Sequence, residues 1–392
     1  MIRVCQLLAI LLLTHSVAQA QLPDSLSTQG RIYVVTTLPG DLVYNRYGHT
    51  AIRVFDRTQG LDVTFNYGTF DFAQPGFVQK FVDGELDYFL SFSSTRKAAQ
   101  SARLQDRTMR QQLLDINRQQ RDAIYTALIR NARPENREYR YDFLFDNCAT
   151  RPRDIIADAL GDQVEWDSTA LGMTFRKLLD PYHADAPALD LGTDLVLGSR
   201  LDEVATSQDE AFLPIRLEAL LAHAWVEDQY GRRPLVLTSD TLIWSARPAF
   251  PERTLPWPLL LSGLIMVFGL ATLKRSSMRH PLIPTFDKVL LGSLGAVGIV
   301  LLYMATLTAH QVTGSNFNML WALPTHLLAA WYLPRTTPRI AGGYLLLTAF
   351  LAALALTGGW LLPQPVPVAA VPLIILVMVR SAVLGRRLNQ GR

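Results

Sequence analysis

Cys148 closes the run Tyr141-Asp142-Phe143-Leu144-Phe145-Asp146-Asn147-Cys148 and is one of only two cysteines in the chain. The other, Cys5, lies in a stretch with the form of an export signal. Met1 and Arg3 precede the apolar run Leu7–Leu13, and Ala18-Gln19-Ala20 has the small-x-small pattern of a cleavage site. Residues 1–20 therefore read as a removable leader that takes Cys5 with it, and the mature chain begins near Gln21. A solitary thiol in an oxidising compartment has no internal disulfide partner, so Cys148 is either an apolar filler or a nucleophile. Free cysteine is often a buried filler. Asp146, Asn147, Arg151, Arg153 and Asp154 give this one polar flanks instead.

Asp146 and Asn147 are N-cap residue types, and Ile155, Ile156, Ala159 and Leu160 recur at helical spacing. Cys148 is thus expected at the first turn of a helix, where Pro152 is also tolerated. Free N–H groups and partial positive charge there favour thiolate and can receive an oxyanion, which suits acyl transfer if a base is near. Of seven histidines, His15 leaves with the leader and His280 is expected on the cytoplasmic side. His49, at the mouth of a strand after Gly48, is the best placed base. Asn66 is the first choice to orient its imidazole, with Asp62 and Tyr67 as weaker ones. A lone histidine is more often structural, so the weight rests on the pair.

These groups need a scaffold. Residues 31–37, 49–55 and 62–67 read as strands of a small antiparallel sheet, and the stretch 94–132 reads as helical, with Asn117 as a cap. A sheet packed on the nose of a cysteine-bearing helix is how papain-like folds join their catalytic groups. Here His precedes Cys, the order of circularly permuted relatives. The expected fold class is α+β: a permuted papain-like, NlpC-related cysteine domain followed by an all-α bundle of five transmembrane helices.

Five apolar stretches, near 257–273, 288–309, 318–334, 340–361 and 366–384, approach the ~20 residues that cross a bilayer. Lys274, Arg275, Arg279, Lys288, Arg335, Arg339, Arg380, Arg386, Arg387 and Arg392 collect on alternate loops and the tail, which puts the C-terminus in the cytoplasm. The expected division is leader 1–20, exported domain 21–230, connector 231–255 and membrane domain 256–392. The connector is read as a strand pair, 235–238 and 241–244, leading into a Pro-rich approach. The whole-chain values of 49% hydrophobic and 18% charged average two unlike halves, and a net charge of +3 gives no support for a nucleic-acid partner. No Cys-x-x-Cys or His-Glu-x-x-His spacing calls for a metal, and no cofactor is implied.

The segments Tyr47–Val54, Phe65–Phe72, Tyr141–Arg151, Leu191–Gly198, Phe212–Pro214 and Asn316–Pro324 together resemble the Lnb-type lipoprotein N-acyltransferases. The resemblance implies an inner-membrane enzyme with a periplasmic catalytic domain. It would take an acyl chain from a membrane phospholipid and place it on the α-amino group of a diacylglyceryl-cysteine lipoprotein. It also implies Cys148 as nucleophile and His49 as base. Arg151 and Arg153 could fork a phosphate or pair with nearby Asp, and Tyr67 and Asn147 are further substrate contacts. Asn316, Asn318 and Trp321 stand at outer span ends, as interface anchors or lipid contacts. Two rival readings remain: a membrane-tethered cysteine peptidase or amidase acting on peptidoglycan, and a non-catalytic sensing or scaffold module.

Overall fold

The computed structural model describes residues 22–273 and 284–390. The proposed leader and the basic residues Lys274, Arg275 and Arg279 of the first internal loop lie outside them. The N-terminal part is built on a seven-stranded antiparallel sheet in the order β10-β5-β1-β2-β3-β4-β6. Its strands are β1 (Arg31–Thr37), β2 (His49–Asp56), β3 (Leu61–Thr69), β4 (Asp87–Ser94), β5 (Met109–Leu114), β6 (Glu138–Arg140) and β10 (Val236–Ile243). β7 (Val164–Glu165), β8 (Trp225–Asp228) and β9 (Gly231–Pro234) form a separate small sheet.

Alternation along β1 to β3 covers both faces of the large sheet. Ile32, Val34, Ile52, Val54 and Phe65 pack against Ile124 and Leu128 of the helix Arg118–Ala132 and Ile156 and Leu160 of the helix Thr150–Leu160. On the other face Val35, Ala51, Met109 and Ile243 meet Ala98, Ala99 and Ala102 of the helix Thr95–Leu104. Burying side chains of this size is worth roughly 1.5–3 kcal/mol each, which makes this two-sided core the anchor of the sheet.

Two expectations are corrected. The stretch 94–132 is not one helical region, because β5 lies inside it and pairs with β1 on one side and β10 on the other. Residues 235–244 do not form a hairpin: β10 is one strand carrying two register shifts, and it completes the sheet's edge. The sheet thus runs past residue 230, into the segment read as connector.

The C-terminal part is helical. Among the described residues three helices are long and apolar enough to cross a membrane, Thr285–Thr306, Pro338–Ala355 and Val368–Asn389, and Trp257–Leu273 is a shorter apolar one. The stretch 318–334 is not a continuous span. It is a single turn, Phe317–Leu320, then the short helix Thr325–Tyr332, then another turn, Leu333–Arg335. Pro324 and Pro334 interrupt it, and proline cannot continue a helical ladder. Within the bundle the buried Arg380 guanidinium meets Asp287 through two bonds of 2.5 and 2.9 Å and donates to the Gly269 carbonyl at 2.6 Å. One ion pair so ties three helices together, the arrangement expected of charge inside a membrane.

Candidate functional site

Gly48 and Gly68 allow the site to form. Gly48 turns the chain into β2 with φ +86°, and a side chain there would press on the Thr37 carbonyl at 2.9 Å. Gly68 has φ +80° and sits where the β3–β4 register shifts, between Asn66 and Thr69. A Cβ at Gly68 would lie 3.4 Å from Cys148 Cβ and 3.5 Å from the Tyr141 ring. Glycine alone takes this conformation readily and leaves the gap that admits Cys148 to the sheet.

Cys148 arrives at the nose of the helix Thr150–Leu160, two residues before its first turn. Asn147 builds that nose: its Oδ1 accepts from the N–H groups of Ala149 (2.7 Å) and Thr150 (3.0 Å). Its Nδ2 donates to the carbonyls of Phe143 (2.8 Å) and Phe212 (3.1 Å). The Cys148 sulfur lies against the sheet near the Thr50 peptide, whose N–H, with the cysteine's own, favours the thiolate. The thiol and the imidazole therefore flank the same short stretch of β2, and both side chains keep partial exposure.

His49 Nε2 is 3.3 Å from Asn66 Oδ1. Asn66 Nδ2 donates to the Thr64 carbonyl at 3.1 Å, which turns its oxygen toward the imidazole. Nε2 is then the protonated nitrogen, and Nδ1 keeps its lone pair. Burial, with a further push from the nearby Arg107 cation, brings the imidazole down to about 4, against an opposing pull from Asn66. Burial pushes the Cys148 thiol up, while the two N–H groups and Arg107 act the other way. At neutral pH the thiol and the imidazole are thus both neutral at rest.

Arg107 is the group that sequence reasoning missed. It is 6% exposed and donates to the carbonyls of Leu38 (2.7 Å) and Thr37 (3.5 Å) and to Gln105 (3.1 Å). Burial lowers it to about 10, so it remains a cation at neutral pH. Nothing in the Asp106-Arg107-Thr108 run marks it. Only the pairing of β5 with β1 carries it to the end of the sheet that holds His49 and Cys148.

Several other expected contacts are committed elsewhere. Tyr67 is 1% exposed, and its hydroxyl accepts from Asn131 at 2.8 Å. Asp62 holds the Arg53 guanidinium through bonds of 2.7 and 2.8 Å. Arg151 is closed on Asp146 and lies 3.5 Å from the centre of the Tyr139 ring. Arg153 joins Asp154 and the Gln208 carbonyl, each at 2.7 Å, so the two arginines do not form a phosphate fork. Asn147 is used up as a cap.

Asn316 and Asn318 are corrected most sharply, because both are buried rather than presented to lipid. They donate to the carbonyls of Asp194, Leu195 and Val196 at the end of the helix Pro187–Val196, at 2.7–3.2 Å. Such last-turn carbonyls have no partner within their own helix. Trp321 Nε1 donates to Asn318 Oδ1 at 3.1 Å. Trp321 also lines an apolar cleft of about 280 Å³ between that helix and the membrane helices. The same junction includes Gly198 N–H to Val312 O (2.8 Å) and Gln364 to Leu197 O (3.1 Å). A larger cleft, about 350 Å³, is lined by Asp41, Arg46, Asp185 and Arg247 and does not include Cys148 or His49. Its charges pair with one another, which fits a solvated groove. Among the described residues no cluster of three or more His, Cys, Asp or Glu could hold a metal.

A mixed sheet-and-helix domain with a thiol at a helix nose packed against the strand that carries an imidazole, fastened to an apolar helical bundle, defines a membrane protein with a folded domain outside the bilayer. Two family models match the chain: the Lnb N-terminal periplasmic domain over residues 23–180 and the Lnb transmembrane domain over residues 251–390. With both domains present and in order, the chain belongs to the Lnb-type family. No curated protein and no solved structure matches it.

Proposed function

We propose that this chain is a lipoprotein N-acyltransferase of the inner membrane, with its catalytic domain in the periplasm, and that Cys148 and His49 perform the transfer. The observation that supports the reading is the seating of Cys148 at the Gly68 gap and near the Thr50 peptide, next along β2 to the His49 imidazole that Asn66 holds. Family membership supports lipoprotein N-acylation as the reaction type.

In the first step the thiol of Cys148 gives its proton to His49 Nδ1 as sulfur attacks the carbonyl carbon of a phospholipid ester. The oxyanion of the tetrahedral intermediate is met by the N–H groups of Thr50 and Cys148, with the Arg107 charge nearby. Collapse breaks the ester C–O bond, His49 returns the proton to the departing alkoxide, and lysophospholipid leaves a thioester on Cys148. The α-amino group of the diacylglyceryl-cysteine then attacks the thioester. His49 accepts the amine proton and passes it to the released sulfur. A neutral imidazole at rest is the form this sequence requires, in agreement with its value of about 4.

The test is expression in a host lacking its own N-acyltransferase, followed by mass analysis of lipoprotein N-termini. Tri-acylated cysteine is expected with the unaltered chain and di-acylated cysteine with Cys148→Ser. Cleaved cell-wall fragments with no N-acylation would transfer the assignment to the peptidase reading.

A further inference from the structure

The helix Phe77–Asp83 buries none of its residues, although it is mostly apolar. Val78 is 71% exposed and Phe81 50%, and Phe72 beside them is 62% exposed. A soluble domain has little reason to hold such a helix in water. Its backbone and Asp83 are tied to the outer end of the span Thr285–Thr306. The Tyr303 hydroxyl donates to Asp83, the Ala309 N–H donates to the Asp83 carbonyl at 2.7 Å, and His310 Nε2 donates to the Phe81 carbonyl at 3.1 Å. A helix fixed there lies at the depth where hydrocarbon gives way to headgroups, and aromatic side chains favour that layer.

From this helix a chain of ring contacts leads to the thiol. Phe81 stacks on Phe77 with centroids 6.3 Å apart, and Phe77 lies 5.9 Å from Phe70. Phe70 meets Tyr88 at 5.4 Å, and Tyr88 stacks on Tyr141 at 4.4 Å. Tyr141 borders Cys148 at the Gly68 gap. The path is lined by aromatic rings throughout, and it runs from the helix tied to the end of the span Thr285–Thr306 to the Gly68 gap beside Cys148.

We propose that this aromatic ramp carries the acyl chain of a membrane phospholipid from the leaflet facing the exported domain up to Cys148, with the helix Phe77–Asp83 seated in the lipid interface. The inference rests on the acyltransferase reading, and it adds the lipid-facing surface and the route. Hydrocarbon is the occupant that fits: the surface is continuous with the end of a membrane helix, and its exposed side chains are apolar.

The experiment uses the full chain and follows the acyl mass gained by Cys148 from two donors. One is phosphatidylethanolamine in vesicles; the other is a dihexanoyl phospholipid below its micelle concentration. Val78→Asp, on the exposed surface of the helix and outside the ring contacts, should slow acylation from vesicles about tenfold or more while changing the soluble donor's rate by less than about twofold. Equal rates from vesicles, or equal losses with both donors, would overturn the proposal. A second variant, Phe81→Trp, reads position directly: its fluorescence should be quenched by brominated phospholipid in the bilayer, and an unquenched signal sinks the proposal whatever the activity. If the unaltered chain takes acyl mass from neither donor while Phe81→Trp is quenched, the acyltransferase reading fails and the membrane-seated helix stands.

Discussion

Arg107 stands as a buried cation within electrostatic reach of the Cys148 sulfur, and its own hydrogen bonds go to backbone carbonyls and a glutamine rather than to a carboxylate. Its charge lowers the cost of a thiolate and raises the cost of an imidazolium. Removing it should therefore move both groups upward. With Arg107→Gln, alkylation of Cys148 by iodoacetamide at fixed pH is expected to slow by about tenfold, one pKa unit's worth of thiolate. Arg107→Lys keeps the charge and should retain most of the rate. Equal reactivity in all three proteins would remove Arg107 from the electrostatics of the site.

The imidazole's low value has a kinetic consequence. His49 sits at about 4, so the base form is present throughout the neutral range and is lost only as pH falls through that value. The acid limb of kcat/KM for thioester formation should accordingly lie near 4 rather than near the ordinary histidine value. Asn66→Asp places an anion beside Nε2, which stabilises the imidazolium and should carry the limb upward. Asn66→Ala should leave the limb in place and reduce kcat by about 10–100-fold, through loss of ring orientation.

The same shift enters stability. The unfolded histidine binds a proton near 6.5, whereas the folded one does so near 4. Between those values the unfolded chain holds more protons, so stability is full above 6.5 and declines as pH falls toward 4. His49→Gln should flatten that part of the melting-temperature profile. An unchanged slope would show that His49 does not titrate as its surroundings imply.

Gly68→Ala tests the gap in the sheet. The added methyl reaches only ordinary contact with Cys148 at 3.4 Å, so the main cost is the φ of +80°. A loss of about 1–2 kcal/mol is expected, read as a lower midpoint in thermal unfolding.

Gly198→Ala addresses the junction between the two domains. A Cβ there would fall 1.8 Å from the Gly314 carbonyl oxygen, a backbone clash that only separation relieves. The loop 307–317 should become open to limited proteolysis. Acylation from vesicles should fall, with reactivity of Cys148 toward iodoacetamide preserved.

Sequence pattern located the groups with local signatures. β1 begins and ends where its β-branched run does, and Asn117 caps the helix Arg118–Ala132 in a reciprocal box with Gln120. Asn147, three residues before the helix Thr150–Leu160, carries a cap signal that holds whatever the tertiary fold. β5 was hidden because Met109-Arg110-Gln111-Gln112 has neither alternation nor strand-forming residues, and its state comes from being clamped between β1 and β10. Ser239-Asp240 has turn composition yet stays extended along β5. The amides Asn316 and Asn318 had the makeup of headgroup contacts. Their partners are carbonyls more than a hundred residues away, which no local pattern encodes.

The chain leaves the large sheet by its outermost strand and is pinned on the way to the bundle, where the Thr254 N–H meets the Ala184 carbonyl at 3.0 Å and Arg247 pairs with Asp41. A soluble fragment cut at 230 would shed that strand and leave β5 with a bare edge. Moored in this way, the thiol has no swing to lend to a neighbouring bilayer. For the acyl transfer proposed above, donor and acceptor meet in the one membrane that carries the protein, and vesicles mixed without fusion should exchange no acyl chains through it.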